Sequence, residues 1–405
     1  ILYRLLFGLV LPSHDVAGSD LVADWTDRMW VSGGPFVLDE WVKGEYLRLV
    51  RNDRYWKTDP VTGQALPYLD EVIVRFLDTD ELVPALIDGD VDVIAVDPTP
   101  ENLAALDAAG LVVEVRAGTA WEHLNFQFGA GRLERNPDSV AEVEAFRRAV
   151  FHAVDRERIV AELLPERATA IDSYVNVYVP DLSGGPWERY TYDPDEARRL
   201  LGEVCAGLGR DCDAEPLAVV FTTTADNPVR TRLAEALGTM LGAVGLDYRA
   251  ELEESPVFIG DTLPFGRWDL AQWAYRATPG FVGLVSIHDV VDPDGPPPLG
   301  RNLYRLGTGP VAGAGAYDQA GSSLQNAGTD RLAELRDLMN ATLDPSEIGV
   351  LAREAEEILA EQAVFLPLFA WREMGAASTA LGGYRFNPSD AGDTWNIETW
   401  YLREE

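Results

Sequence analysis

An α/β fold is predicted by this sequence of 405 residues. Three observations predict it. Short apolar strands alternate with helices along the chain, residues 217–252 read as a complete strand–helix–strand unit, and two later helices open on Asp-Pro caps.

The alternation begins after a glycine turn, Ser32-Gly33-Gly34-Pro35, which feeds a strand at Phe36-Val37-Leu38. Residues 46–50 form its hairpin partner after the Lys43-Gly44 turn, and residues 51–56 are a polar loop with aromatic plugs. Strands follow at 72–76, 91–94 and 111–115. They are separated by helices at 81–88 and 101–109, the second stopped by Gly110. A strand at 124–128 precedes a helix at 143–154 with Phe146, Val150, Ala153 and Val154 on one face.

In the strand–helix–strand unit, residues 217–221 are an apolar strand. Asn227-Pro228 starts a helix whose Val229, Leu233, Leu237, Met240, Leu241 and Val244 share a face. Gly245 stops it, and Leu246, Tyr248, Ala250 and Leu252 alternate in the next strand. The caps are Asp193-Pro194-Asp195-Glu196 and Asp344-Pro345-Ser346-Glu347. In each the Asp caps, Pro takes the first helical position, and the Glu is placed as the capping-box acid. Residues 268–273 and 364–369 read as further strands. The stretch 292–329 reads as a long Gly/Pro/Ala-rich loop.

Composition excludes several classes. There are 67 acidic residues against 33 basic ones, a formal charge of −34, and Lys43 and Lys57 are the only lysines. Such a surface repels phosphate backbones and anionic lipid. No stretch reaches the roughly 18–20 apolar residues that span a bilayer. The apolar run 1–12 is interrupted by Arg4, lacks a signal-peptide cleavage pattern, and reads as a buried helix or strand. Cys205 and Cys212 lie close together in a Gly-rich stretch; one local disulfide and two unpaired thiols both fit.

Catalytic motifs are lacking. His14, His123, His152 and His288 show no metal-ligand spacing. There is no nucleophile elbow. Gly307-Thr308-Gly309 is followed by Pro310 and has no preceding apolar strand, which removes it as a dinucleotide loop. Acidic pairs such as Glu253-Glu254 read as solvated faces in a chain this acidic. What stands out is the aromatic content, 11 Trp and 14 Tyr, with Trp121, Trp268, Trp273, Tyr275 and Trp371 near strand ends or glycines. Core packing accounts for any one of them; together they suit a ligand cleft.

A series of motifs resembles the family 5 extracellular solute-binding proteins, the dipeptide, oligopeptide and nickel receptors of ABC importers. They are Gly33-Gly34-Pro35-Phe36-Val37-Leu38 with Trp41, then Arg51-Asn52-Asp53-Arg54-Tyr55-Trp56, and Leu66-Pro67-Tyr68-Leu69-Asp70-Glu71-Val72. Next come Ile87-Asp88-Gly89-Asp90-Val91-Asp92-Val93, Asn125-Phe126, Phe146-Arg147-Arg148-Ala149-Val150 and Ala153-Val154-Asp155-Arg156. Tyr192-Asp193-Pro194, Trp268-Asp269-Leu270-Ala271-Gln272-Trp273, Leu366-Pro367-Leu368 and Trp395-Asn396-Ile397 complete the series. Each is weak alone; their order is specific.

The resemblance implies a bilobal periplasmic-binding-protein-like clamp of the class II type. Residues 1–118 with 375–405 would form the first lobe, and 119–374 the second. Trp395 and Trp400 would then pack on the segment around 34–56 rather than on 217–252. It implies that the chain is N-terminally truncated, with the first lobe incomplete. It also implies a non-enzymatic, cofactor-free receptor, extracytoplasmic in the periplasm or lipid-anchored at the outer cell surface. The partners would be a small-molecule or short-peptide ligand and ABC permease subunits. No nucleic acid is expected, and membrane contact only through an anchor or the transporter.

Peptide-binding relatives carry a tryptophan and then an aspartate for the ligand's amino group after the Trp268–Trp273 motif. Here Trp273-Ala274-Tyr275-Arg276-Ala277-Thr278-Pro279 occupies that stretch, with Thr278 in the aspartate's register. The expected ligand contacts are therefore stacking by Trp273 and Tyr275, charge pairing by Arg276, and hydrogen bonding by Thr278 and Asn125, with His123 beside them. An anionic or neutral solute fits better than a free-amino peptide. The rival readings are a secreted hydrolase of sugars or peptides with a buried carboxylate pair, and a sensor module of a regulator or chemoreceptor.

Overall fold

A computed structural model describes residues 14, 17, 18, 33–180, 182, 184–276, 278, 280–297, 300–309, 321–389 and 392–403. The apolar run 1–12 and residues 277 and 279 of the expected ligand stretch lie outside the described residues. Contacts divide the chain into two units, Ile1–Arg116 with Arg372–Glu405, and Ala117–Trp371.

The first unit opens with an antiparallel three-stranded sheet, β1 (Phe36–Val42), β2 (Tyr46–Arg51) and β3 (Glu71–Arg75). Gly44, at φ 82°, supplies the left-handed turn between β1 and β2. Helix α1 (Leu82–Ile87), strand β4 (Val93–Val96) and helix α2 (Pro100–Ala108) follow, and Thr99 caps α2 by accepting from the Asn102 amide. Strand β5 (Val112–Phe126) carries the chain into the second unit. The sequence splits this strand into 111–115 and 124–128 because Gly118 and Thr119 interrupt its apolar pattern. The structure runs it through, and Phe128 lies past its end, buried in a loop.

In the second unit α3 (Glu144–Ala153) buries Phe146, Ala149, Val150 and Ala153. It is followed by α4 (Arg156–Leu163), β6 (Ala168–Ala170) and the short α5 (Val175–Tyr178). Helix α6 (Pro194–Leu208) packs on α3 through Ala197, Leu200, Leu201 and Val204. Its cap is Asp193, which accepts from the Asp195 and Glu196 amides. Glu196 does not close a capping box; its carboxylate takes Arg199 instead, at 2.7 Å. Cys205, in the last turn of α6, is disulfide-bonded to Cys212.

The strand–helix–strand unit is β7 (Ala218–Thr224), α7 (Pro228–Ala243) and β8 (Asp247–Glu253), with β7 and β8 parallel. Val229, Leu233, Leu237, Met240 and Leu241 are buried, each contributing about 1.5–3 kcal/mol by area. Strand β9 (Leu270–Arg276) begins two residues later than the sequence suggests. It runs antiparallel to β5 and parallel to β7. Helix α8 (Phe281–Ile287) follows.

Helix α9 (Ala327–Ala341) lies partly inside the stretch read as loop. Asn326 and Thr329 make the true capping box there. Helix α10 (Pro345–Glu361) is capped by Asp344, while Glu347 reaches back to the Thr342 hydroxyl. Strand β10 (Phe365–Ala377) starts in the second unit beside β5 and β6, giving the order β10-β5-β9-β7-β8 there.

The far end of β10 pairs with β4 in the first unit and brings Met374 and Ala376 onto Leu86, Ile94 and Leu106. A second core there joins Phe36, Leu49 and Leu69 to Leu381, Ile397 and Trp400, next to the small ladder of β11 (Leu381–Gly382) with β12 (Tyr401–Leu402). Trp400 thus packs on the strand after the glycine turn. Trp395 is 47% exposed and donates to the Arg385 carbonyl.

Candidate functional site

The antiparallel register of β5 and β9 builds two different faces. His123 stands opposite Trp273, Trp121 opposite Tyr275, Asn125 opposite Ala271, and these six share one face. Glu122 stands opposite Ala274 and Ala120 opposite Arg276, on the other.

The first face is an aromatic core. Trp121 stacks on Tyr174 at 5.5 Å between ring centres, His123 on Tyr275 at 4.7 Å, and Trp273 on Tyr304 at 5.8 Å. Tyr304 and Trp187 both stack on Phe365. Such pairs add about 0.5–1.5 kcal/mol each beyond their area. Asn125 donates to the carbonyls of His123 and Ala271, which turns its Oδ1 to His123 Nδ1 at 2.6 Å. Nδ1 therefore carries the proton, and Nε2 is a buried lone pair with no hydrogen-bond partner. Burial pushes His123 down to about 3. His288 is set the same way: Nδ1–H donates to the Leu284 carbonyl, and Nε2 accepts from the Tyr174 hydroxyl. Burial pushes it down to about 4.

The second face opens towards solvent at its end. Glu122 is buried, and it accepts from Arg230 Nη2 at 3.1 and 3.3 Å, from Trp371 Nε1 at 3.2 Å, and from Gln272 Nε2. Thr223 donates to Gln272 Oε1, fixing that amide with its NH2 towards Glu122. Arg230 also donates to Thr224 Oγ1, and Arg167 lies over the Trp371 ring.

Of the residues singled out from sequence, Asn125 and His123 are fully buried and Trp273 is 6% exposed, all within the aromatic core. Tyr275 and Thr278 are half-buried and Arg276 is exposed. Thr278 is seated on α8, where its carbonyl approaches Gly283 so closely that a Cβ there would lie 1.7 Å away. Trp371 belongs to the aromatic set that the sequence offers for a cleft, whereas Glu122, Gln272 and Arg230 carry no sequence signal for a site, although strict alternation along β5 sets Glu122 opposite in direction to Trp121 and His123.

Among the described residues three carboxylates are buried in this unit, each held by its own partners. Glu122 is described above. Asp269 accepts from Ser139, Asn136 and the Val220 amide. Glu356 accepts from Ser173, the Val175 amide and Arg353. Among the described residues no group of three or more His, Cys, Asp or Glu side chains is placed to hold a metal ion.

Residues 6–281 match the profile of the bacterial extracellular solute-binding proteins, family 5, middle region. The chain belongs to this family. Among curated family relatives it is 24% identical to the oligopeptide-binding protein AppA of Bacillus subtilis, over 97% of this chain and 66% of that protein. It is 26% identical to a putative ABC transporter peptide-binding protein of Brucella ovis, over 62% of this chain and 44% of that protein. The chain thus spans about half to two thirds of the curated relatives' length.

Solved structures share the family fold. The ABC transporter substrate-binding protein CtaP of Listeria monocytogenes superposes with a TM-score of 0.72 at 18% identity, over 97% of this chain and 72% of that one. The periplasmic EDTA-binding protein EppA gives 0.73 at 19% identity, over 100% and 72%. Against the family background, the motif residues Arg147 and Asp269 are fold-holding groups here. Arg147 is fully buried and donates to the carbonyls of Ala141, Gln362 and Ala363.

Proposed function

We propose that the chain is the solute-capturing component of an ABC importer, taking up a peptide-like or other small solute outside the cytoplasm and passing it to permease subunits. The observation that carries this is the family match over residues 6–281. The names of the relatives, oligopeptide- and peptide-binding proteins of ABC transporters, support it. The Cys205–Cys212 disulfide supports an oxidising, extracytoplasmic compartment. Among the described residues no helix is long and apolar enough to cross a membrane.

The proposed lobes, 1–118 with 375–405 and 119–374, are supported by the division of contacts at Arg116/Ala117 and Trp371/Arg372. Within the second lobe Arg276, Thr278 and Tyr275 would meet the solute, and Trp273, His123 and Asn125 would form the rigid layer that holds Tyr275. A non-enzymatic role is supported by the buried carboxylates, each saturated by structural donors rather than left available as an acid–base pair.

The test is a thermal-shift screen of the 405-residue chain against peptides, sugars and metal chelates, followed by titration calorimetry on hits. Saturable binding without turnover is expected. Steady hydrolysis abolished by Glu122→Gln or Glu356→Gln would instead support the hydrolase reading.

A further inference from the structure

We propose that Arg230 and Arg276 form an oxyanion seat for a carboxylate of the captured solute, with Glu122 as the positioning residue that aims Arg230. The proposal rests on the solute-binding reading and narrows it to a ligand class.

The geometry begins with the Glu122 hub. Its carboxylate binds Arg230 while Gln272 and Trp371 occupy its remaining lone pairs. Thr224 holds the other arm of the guanidinium at 3.2 Å. Each terminal nitrogen of Arg230 carries a second N–H, and the side chain keeps 15% of its exposure. The group is thus oriented without being sealed. Arg276, the last residue of β9, stands opposite Ala120 and therefore lies on the Glu122 face, one pleat further out, and is exposed. A planar fork that shares a strand face with a second cation suits a carboxylate.

Two features are hard to explain by stability. A buried ion pair seldom outperforms an apolar pair of the same volume. Arg230 is also the third residue of α7, whose first turn has no acid, so its charge faces the positive end of the helix dipole. The first turns of α2, α6, α9 and α10 carry Asp or Glu; those of α1 and α8 carry none, but neither places an arginine there. Asp226 lies within electrostatic reach of Arg230 but is held by Ser255, at 2.6 Å. In a chain of charge −34, a cation held partly open to solvent at a helix start suits a place that receives an anion. The place is the carboxyl end of the parallel strands β7 and β9, where open α/β sheets take their ligands.

The experiment is titration calorimetry on the 405-residue chain with mixed-sequence N-acetyl tripeptides bearing a free carboxylate, their C-terminal amides, free-amino tripeptide amides, and inorganic phosphate. The acids should bind ~10–150-fold more tightly than the amides, and Arg276→Ala or Arg230→Lys should remove that margin. Glu122→Ala should weaken the acids and Glu122→Asp, which keeps an acceptor-only carboxylate, should retain part of the affinity, with melting temperature followed in parallel; a merely structural Glu122 would move acids and amides alike. Competition by phosphate supports a general oxyanion seat, and lack of it a carboxylate-shaped one. Amides that bind as tightly as acids, with Arg276→Ala unchanged, overturn the seat and leave the receptor reading standing. Failure of every probe to bind overturns the seat, whereas the receptor reading falls only if the wider screen of peptides, sugars and metal chelates also finds no ligand.

Discussion

His123 and His288 are neutral bases sealed in an aromatic core, and their chemistry has a sign. Their values lie below the ordinary 6.5, at about 3 and about 4. The unfolded chain therefore takes up protons that the folded one refuses. Their stability contribution is complete above pH 6.5 and drains away as pH falls, by about 2 kcal/mol per histidine at pH 5. Glu356 opposes them: burial pushes it up to about 7, so its proton is bound more tightly when folded, and its contribution grows as pH falls from 7. Chemical denaturation between pH 8 and 5 should show a loss of stability below 6.5. That loss should be steeper in Glu356→Gln, where the opposing proton uptake is gone. Nitrogen NMR should show both imidazoles protonated on Nδ1 and unchanged at pH 5; an imidazolium signal from either would contradict the hydrogen-bond assignment.

At the scale of the element, helix ends were the most legible feature of the sequence. Asp193 and Asp344 cap the helices they precede, and the stripe from Val229 to Leu241 is buried as its spacing requires. Removing the α6 cap with Asp193→Ala should lower stability by about 1 kcal/mol in urea titration, without changing the slope of the transition. Glu196, engaged with Arg199, is not part of that cap, and its replacement should cost well under half as much. The illegible elements were those whose pattern is set by distant partners. Strand β5 reads as two because a one-dimensional pattern breaks at Gly118, whereas the strand is flanked by β10 and β9, the latter in register from Ala120 onward. Helix α9 hides its start in a Gly/Ala-rich stretch, because an Asn–Thr capping box is a weaker sequence signal than Asp-Pro. The site was partly legible for the same reason. Period-2 alternation sorts Arg276 from Trp273 and Tyr275, but no local pattern reveals that Arg230 reaches Glu122 from 108 residues away.

At the scale of the whole molecule, the charge of −34 dominates. Many surface arginines are already paired, Arg199 with both Glu196 and Glu203 for example, yet 67 acids face 33 bases. Salt shortens the Debye length from about 10 Å at 0.1 M to about 3 Å at 1 M. Self-repulsion should be relieved faster than the weak exposed pairs are lost. The thermal midpoint should therefore rise with sodium chloride, by roughly 1–2 °C for each kcal/mol of repulsion removed. A falling midpoint would mean that the surface pairs dominate.

The path of the chain also fixes an order of assembly on the ribosome. The second unit is one continuous stretch, Ala117–Trp371, whereas the first needs both Ile1–Arg116 and Arg372–Glu405. Leu86, Ile94 and Leu106 leave the exit tunnel early, but Met374 and Ala376, which complete their core, follow only after the whole second unit has been made. At ~5–20 residues per second that is a wait of tens of seconds. Nascent α1, β4 and α2 thus spend the synthesis of the second unit as an unfinished surface, and the body made later in the sequence is the first that can close.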